Sequence, residues 1–224
     1  MTRVVAIRPE PGLSATLAQG CEAGLDMAGW PLFEVRPCPW EPPAPATIDG
    51  VLLGSANAIR HAGATLAAFA GKPAYAVGAS TAEAARRAGF TVAAEGQGGL
   101  QQVLATLNPP LRLLRLAGAK RVPLAPPPGI VLETRTVYES VPLPVPSELA
   151  EALRGDVLVL LHSGEAAAHL AGEVDRLGLD RGRISLAALG PRIAAAAGTG
   201  WREVRAAENP REAPLLALAG DMCH

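Results

Sequence analysis

Aromatic residues make up only 4% of this 224-residue chain, so a core must be built from Ala, Leu and Val, which the 49% hydrophobic content supplies. A surplus of one charge is also missing. The net charge is -1, which leaves no global positive field to draw in nucleic acid or an anionic membrane. Neither is an expected partner, and any anion site must be local. No run approaches 18 uninterrupted apolar residues. The opening MTRVVAIRP holds four apolar residues before Arg8 and Pro9, too few for a signal-peptide core. A soluble, cytoplasmic protein is expected.

Cysteine is sparse. Cys21, Cys38 and Cys223 form no CxxC pair and are odd in number, which suits a reducing compartment better than a disulfide framework. Cys223 and His224 are adjacent, but two neighbouring ligands without partners do not make a metal site, and a frayed tail is the simpler reading. No HExxH occurs, and His61, His162 and His169 are dispersed, so no metal site is expected. Phosphate-cradling GxxxxGK[ST], a GxGxxG between strand and helix, and a GxSxG elbow are all missing. GQGG near Gly96 and GTGW near Gly198 fall at loop or helix-to-strand positions, where a dinucleotide fingerprint does not belong.

What is present is an alternation. Short apolar runs at residues 4–7, 32–35, 50–53, 74–77, 91–94, 111–116, 130–140, 157–161, 184–188 and 203–206 are expected strands. Leu13, Leu17, Cys21 and Leu25 recur every fourth residue as one face of a helix. Further helices are expected over residues 56–69, 80–88, 100–107, 164–177, 191–197 and 212–219. The runs are continuous rather than alternating, which suits strands buried on both faces of a parallel sheet. Repeated strand-helix order implies a doubly wound α/β fold.

Two proline-rich stretches divide the chain. Residues 37–47 carry five prolines, and VPLPVP spans residues 141–146 as a second proline segment; the first cannot be helix and is a poor central strand. About 100 residues suffice for one domain. Two strands precede the first stretch and three follow the second, so these pieces are expected to combine. The expectation is two flavodoxin-like domains of five strands each. One is residues 1–36 plus 143–224 and the other is residues 48–138, joined by linkers 37–47 and 139–146 around a cleft. An internal repeat agrees. DGVLLGSANAI followed by AVGASTAEAARRAGF parallels DVLVLLHSGEAA followed by AALGPRIAAAAGTGW. Both run Asp, strand, Ser, helix, strand, Gly, Ala-rich helix, Gly.

Ligands of open α/β sheets bind beyond the carboxyl ends of the strands. Five segments place small or polar residues there: Arg8 to Gly12; Ser55, Ala56 and Asn57; Gly78, Ser80 and Thr81; Ser163 and Gly164; and Gly190 to Arg192. Four of them open helices, whose unpaired N–H groups and positive dipole end bind carboxylates or phosphates. Each alone has a plainer explanation. Ser55, Ser80 and Ser163 are natural N-caps, and Gly78 and Gly190 are natural turn residues. Tyr138, one of two tyrosines, ends the long extended run and either faces a ligand or packs the hinge.

These residues in this order resemble the uroporphyrinogen-III synthase family. The resemblance rests on Arg8-Pro9 after the first strand and on Ser55 to Ala58 in LLGSANAI. It rests further on Val77, Gly78, Thr81 and Ala82 ahead of a helix ending in Gly89, on Val137-Tyr138, on Ser163, and on Gly190-Pro191. Two features depart from the family pattern. Arg192 and Ile193 stand where the family often has Thr, and residues 118–130 are short and proline-rich where the family usually has a helix.

The resemblance implies a two-domain, cofactor-free, metal-free cyclising lyase of haem biosynthesis acting on hydroxymethylbilane, a linear tetrapyrrole with eight carboxylates. It implies a monomer, with a transient contact to the enzyme of the preceding step. Loss of the terminal hydroxyl as water gives a cationic azafulvene; the last pyrrole attacks through its substituted carbon to form a spiro intermediate, and fragmentation and reclosure invert that ring. The protein's task is positioning, because uncatalysed closure yields the uninverted isomer. Backbone N–H groups at Ser55, Ala56, Asn57, Gly78, Ser80, Thr81, Ser163, Gly164 and Gly190 would hold carboxylates. Arg8, Lys120, Arg121 and Arg192 would supply charge, and Tyr138 would hydrogen-bond or protonate the departing hydroxyl. The alternative is a two-domain module that closes on a tetrapyrrole or other small anion without turnover.

Overall fold

The computed structural model describes residues 2–97 and 99–223, so His224 and the third residue of GQGG, Gly98, lie outside the described residues. The chain divides into two compact units, one of Met1–Glu34 with Val141–His224 and one of Val35–Ser140.

The first unit carries β1 (Arg3–Ala6), α1 (Gly12–Glu22), β2 (Met27–Gly29), α5 (Ser147–Ala152), β9 (Val157–Leu161), α6 (Gly164–Arg176), β10 (Ile184–Ala188), α7 (Pro191–Ala196), β11 (Glu203–Ala206) and α8 (Glu212–Met222). Its five strands order as β11-β10-β9-β1-β2 and every neighbouring pair is parallel. Alternate residues of each strand reach opposite faces, and both faces are covered. Val5, Val159, Leu161 and Leu186 pack with Leu170 and Val174 of α6. Val4, Leu158, Leu160 and Ala187 pack with Leu215 and Leu218 of α8.

The second unit carries β3 (Phe33–Pro37), whose first two residues lie in the other unit, then β4 (Gly50–Leu53), α2 (Ala56–His61), β5 (Pro73–Ala76), α3 (Ala79–Arg87), β6 (Thr91–Glu95), α4 (Leu100–Ala105), β7 (Leu111–Gly118) and β8 (Ile130–Pro142). Its six strands order as β3-β8-β7-β4-β5-β6. The strands from β4 to β8 are joined in parallel. Val51, Leu53, Leu114 and Leu116 face Ala58 and Ala85, while Leu52, Tyr75 and Leu113 face Leu100, Val103 and Leu104 of α4.

The repeat seen in the sequence has a spatial counterpart. β4-β5-β6 lies in its sheet as β9-β10-β11 lies in the other, with β7-β8 standing where β1-β2 stand. The flanking pair follows the repeat in one unit and precedes it in the other, so the two sheets are circular permutations of one arrangement.

Several expectations need correcting. The sheets have five and six strands, not five each, because the strand near residues 32–35 joins the second unit's sheet as β3 and the three-residue β2 takes its place beside β1. Residues 139–142, expected as linker, continue β8, and α5 begins at Ser147 directly after the prolines. The helix expected over residues 56–69 breaks at Gly63, whose φ of 69° ends it, and resumes as a short 3-10 turn. On α1 the buried face is Leu13, Thr16 and Gly20; Cys21 is exposed, and the Met27 side chain packs where a Cβ at Gly20 would sit. Ser80 does not cap α3: it lies within the first turn, and Gly78 is the cap residue.

Candidate functional site

In the second unit the chain leaves β4 in one direction to β5 and β6, and returns on its other side in β7 and β8. The strand order therefore reverses between β4 and β7, and a crevice forms beyond their carboxyl ends. A cavity of about 680 Å³ lies there, lined among others by Gly54 and Ser55 after β4, Val77 after β5, Arg115 and Gly118 of β7, Lys120, Arg121 and Tyr138. Among the described residues that line it there are three cationic side chains and no carboxylate.

Each of these side chains is held. Ser55 is the N-cap of α2, and its hydroxyl accepts from the Asn57 N–H at 3.1 Å. Asn57 accepts from Arg60 through its side-chain oxygen at 2.9 Å. Arg121 donates through Nη1 to Gly118 O at 3.1 Å and to Thr136 Oγ1 at 3.0 Å. Tyr138 is half-buried between Gly118 and His61, whose ring centroid is 6.2 Å away. A β-bulge at Ala117/Gly118 sets Gly118 opposite Tyr138. Burial, then the neighbouring Arg60, lowers the His61 pKa below its ordinary value, so the imidazole beside Tyr138 is neutral near pH 7.

Not every expected residue reaches this cavity. Gly78 sits at the end of β5 with extended φ of 178°, next to Val77 rather than on the lining. Thr81 is 3% exposed and its N–H donates to Gly78 O at 3.1 Å, so that amide is spent within the helix. Ser80 is exposed and Ala56 is buried.

The remaining expected residues belong to the first unit, where the order reverses between β1 and β9. Arg8 follows β1, and its Nη1 donates to Glu212 Oε2 at 2.8 Å and to Thr16 Oγ1 at 3.2 Å. Thr16 in turn donates to Glu212 Oε1 at 2.5 Å, and His162 Nε2 lies 3.1 Å from that same oxygen. Burial opposes ionisation of Glu212, but hydrogen bonds from His162 and Thr16 and the charge interactions with His162 and Arg8 outweigh it and hold the carboxyl at about 2. Arg8 is thus already answered by a carboxylate. Ser163 caps α6 by accepting from Ala166 N–H at 3.1 Å. Gly164 lets α7 approach, since a Cβ there would sit 3.3 Å from Ala196 Cβ. Gly190 caps α7, and Arg192 is exposed with no ion pair among the described residues.

Sequence reasoning missed Arg115, His61, Glu212 and Thr16 as site components. Arg115 was hidden in an apolar run, LRLLRL; a cation inside such a run was the signal available. Glu212 was hidden by distance, 204 residues from its partner Arg8. No cluster of three or more metal-ligating side chains occurs among the described residues, and no helix there is long and apolar enough to cross a membrane.

Two α/β sheets, each reversing its strand order beside a polar cluster, and a cationic cavity at one reversal define a two-unit α/β protein suited to a small polyanionic ligand. The model of the family described as "Uroporphyrinogen-III synthase HemD" matches residues 14–217, and the chain belongs to that family, the cyclising lyases of porphyrin biosynthesis. Among solved structures, a uroporphyrinogen-III synthetase from Helicobacter pylori is 18% identical, with a TM-score of 0.69 over 99% of this chain and 100% of that one. A mutant uroporphyrinogen III synthase from Thermus thermophilus is 20% identical, with a TM-score of 0.59 over 100% and 99%. At such identities these two establish the shared fold. A comparison with curated protein sequences returned no match.

Proposed function

We propose that the cavity between the ends of β4 and β7 holds the reacting end of hydroxymethylbilane, with Tyr138 as the group that meets the departing hydroxyl. The observation that carries this reading is the cavity's composition: Tyr138 and Ser55 share it with Arg115, Lys120 and Arg121, and no carboxylate lines it. A substrate with eight carboxylates needs such a site. A neutral or cationic substrate would gain nothing from it.

The C–O bond of the hydroxymethyl group breaks as the pyrrole nitrogen supplies electrons, and the oxygen leaves as water with a proton donated by Tyr138. The azafulvene carbon is then attacked by the substituted carbon of the last pyrrole. The spiro intermediate fragments and recloses through the unsubstituted carbon of that ring, which is thereby inverted, and the proton lost from that carbon restores the Tyr138 phenol. All electrons come from the pyrroles, so the reading requires neither metal nor redox cofactor. The protein contributes orientation and a proton at one oxygen.

On this reading the five-stranded unit is flavodoxin-like. Numbered along its own strands, the order is 2-1-3-4-5, the order of that fold. The first unit's loops at Ser163, Gly164, Gly190 and Arg192 would hold substrate carboxylates, through helix N–H groups at α6 and α7, with Arg8 kept in place by Glu212. The enzyme would act as a cytoplasmic monomer that takes its unstable substrate in a transient encounter with the preceding enzyme.

A coupled assay tests the reading: hydroxymethylbilane is generated in situ, the products are oxidised, and the isomers are separated by chromatography. Predominance of the type III isomer supports it. Type I isomer alone, from protein shown to be folded, leaves a tetrapyrrole-binding module without turnover as the better account.

A further inference from the structure

Arg115 is out of place by every rule of core composition. It stands in the interior of β7, paired with Leu52 of β4 on one side and Thr134 of β8 on the other. It shares a sheet face with Leu113, a core residue packed with Leu52, Leu100 and Leu104. The residue is 7% exposed. A guanidinium so placed ordinarily meets a carboxylate, because an unpaired buried charge costs several kcal/mol. Among the described residues it meets none. Its Nη2 donates to Val122 O at 2.8 Å, and its Nε is buried with no partner.

The surroundings sharpen the problem. Arg115 lines the same cavity as Lys120 and Arg121, and no carboxylate is among the described residues that line it. Desolvation, then the Arg121 charge, lowers the Arg115 pKa. An arrangement that disfavours its own charge in the empty state is relieved when an anion arrives. A planar guanidinium also offers paired donors matched to a carboxylate.

We propose that Arg115 is the carboxylate anchor of this cavity, receiving an acetate or propionate side arm of the substrate and thereby fixing which pyrrole lies at Tyr138. The proposal rests on the cavity being the substrate site. It makes Arg115 a specificity-determining residue, on a strand face whose other residues, Leu111, Leu113 and Ala117, are apolar.

The test uses the full chain with Arg115→Met and Arg115→Lys. Methionine fills the same volume without charge, and replacing a buried charge by an apolar side chain is often neutral or stabilising. Two readouts are taken. One is binding, by fluorescence, of a stable porphyrin with eight carboxylates against one with four. The other is KM, kcat and isomer ratio in the coupled assay. The expected result for R115M is a melting temperature at or above wild type, affinity for the eight-carboxylate porphyrin weaker by at least about tenfold, and a raised KM; an equal loss for the four-carboxylate porphyrin assigns the arm as a propionate, and a much smaller one as an acetate. R115K is expected to recover most of the affinity. A lower melting temperature with affinity and KM within about threefold of wild type would mean that Arg115 only ties down Val122, and overturns the proposal. If wild type binds the eight-carboxylate porphyrin through Arg115 yet yields only type I isomer, the anchor stands and the synthase mechanism of the preceding section falls.

Discussion

The ring of Tyr138 lies against Gly118 so closely that a Cβ at position 118 would come within 2.8 Å of Cε2 and Cζ and 3.0 Å of the phenol oxygen. Glycine is required there by proximity and not by backbone conformation, since it sits in regular strand at the bulge. Gly118→Ala must therefore move the ring, and the hydroxyl with it. Overpacking of this kind costs about 1–3 kcal/mol, and a displacement near 1 Å at a reacting group costs about a hundredfold in rate. Activity is expected to fall by roughly ten- to a hundredfold while the protein stays folded. Isomer-resolved rates alongside urea denaturation check this; full activity in G118A would show that the ring's position is immaterial.

Tyr138→Phe removes the oxygen and leaves the packing. A phenol is a weak acid near neutral pH, so its contribution is expected at the low end of general-acid catalysis, about ten- to a thousandfold in kcat. KM should change little, because the ring still fills its place over Gly118. A fall in kcat below tenfold would end the acid role and leave Tyr138 as a packing residue.

What the sequence disclosed follows from what kind of signal each feature leaves. Strands such as β4 and β9 are buried on both faces and show as unbroken apolar runs, so they could be read directly. β2 could not: Met27, Ala28 and Gly29 are only half-buried and carry no period. β3 was seen as a strand but assigned to the wrong sheet, because periodicity says nothing of partners. At the site, Ser55 and Tyr138 were legible as residues at strand ends. Arg115 was not, since its importance comes from lacking a partner, a property only packing reveals. Thr81 fitted the family pattern, yet the helical turn buries it, because position in a motif does not specify which face of α3 it occupies.

Acid should weaken the first unit by a defined route. Glu212 ionises at about 2 in the folded protein against an ordinary 4.5, and Glu173 does likewise, held by hydrogen bonds from Arg176 and the Val145 amide against the cost of its burial. Between these values the unfolded chain binds more protons than the folded one. The stability they contribute is thus complete above pH 4.5 and lost as pH falls toward 2. The melting temperature should drop across that window. Glu212→Gln should melt lower than wild type at pH 7, where Arg8 and His162 lose their carboxylate, and its melting temperature should fall less steeply on acidification. Parallel pH profiles for the two proteins would refute the assignment.

Ser55 and Ser163 hold equivalent places in the two repeats, each capping the helix that follows its strand, yet Ser55 also lines the cavity. The two roles separate by choice of substitution. Losing a cap to alanine costs about 0.5–2 kcal/mol, whereas glycine costs only a few tenths. Ser55→Ala and Ser163→Ala should therefore both lower stability by about 1 kcal/mol, and the glycine variants should nearly restore it. Activity should divide the pair differently. Ser55→Gly leaves the helix start intact but removes a hydroxyl from the cavity, so KM is expected to rise by roughly two- to tenfold, the worth of one neutral hydrogen bond. Were Ser55 only a cap, S55G would match wild type in both stability and KM, and the helix α2 terminus would drop out of the binding site.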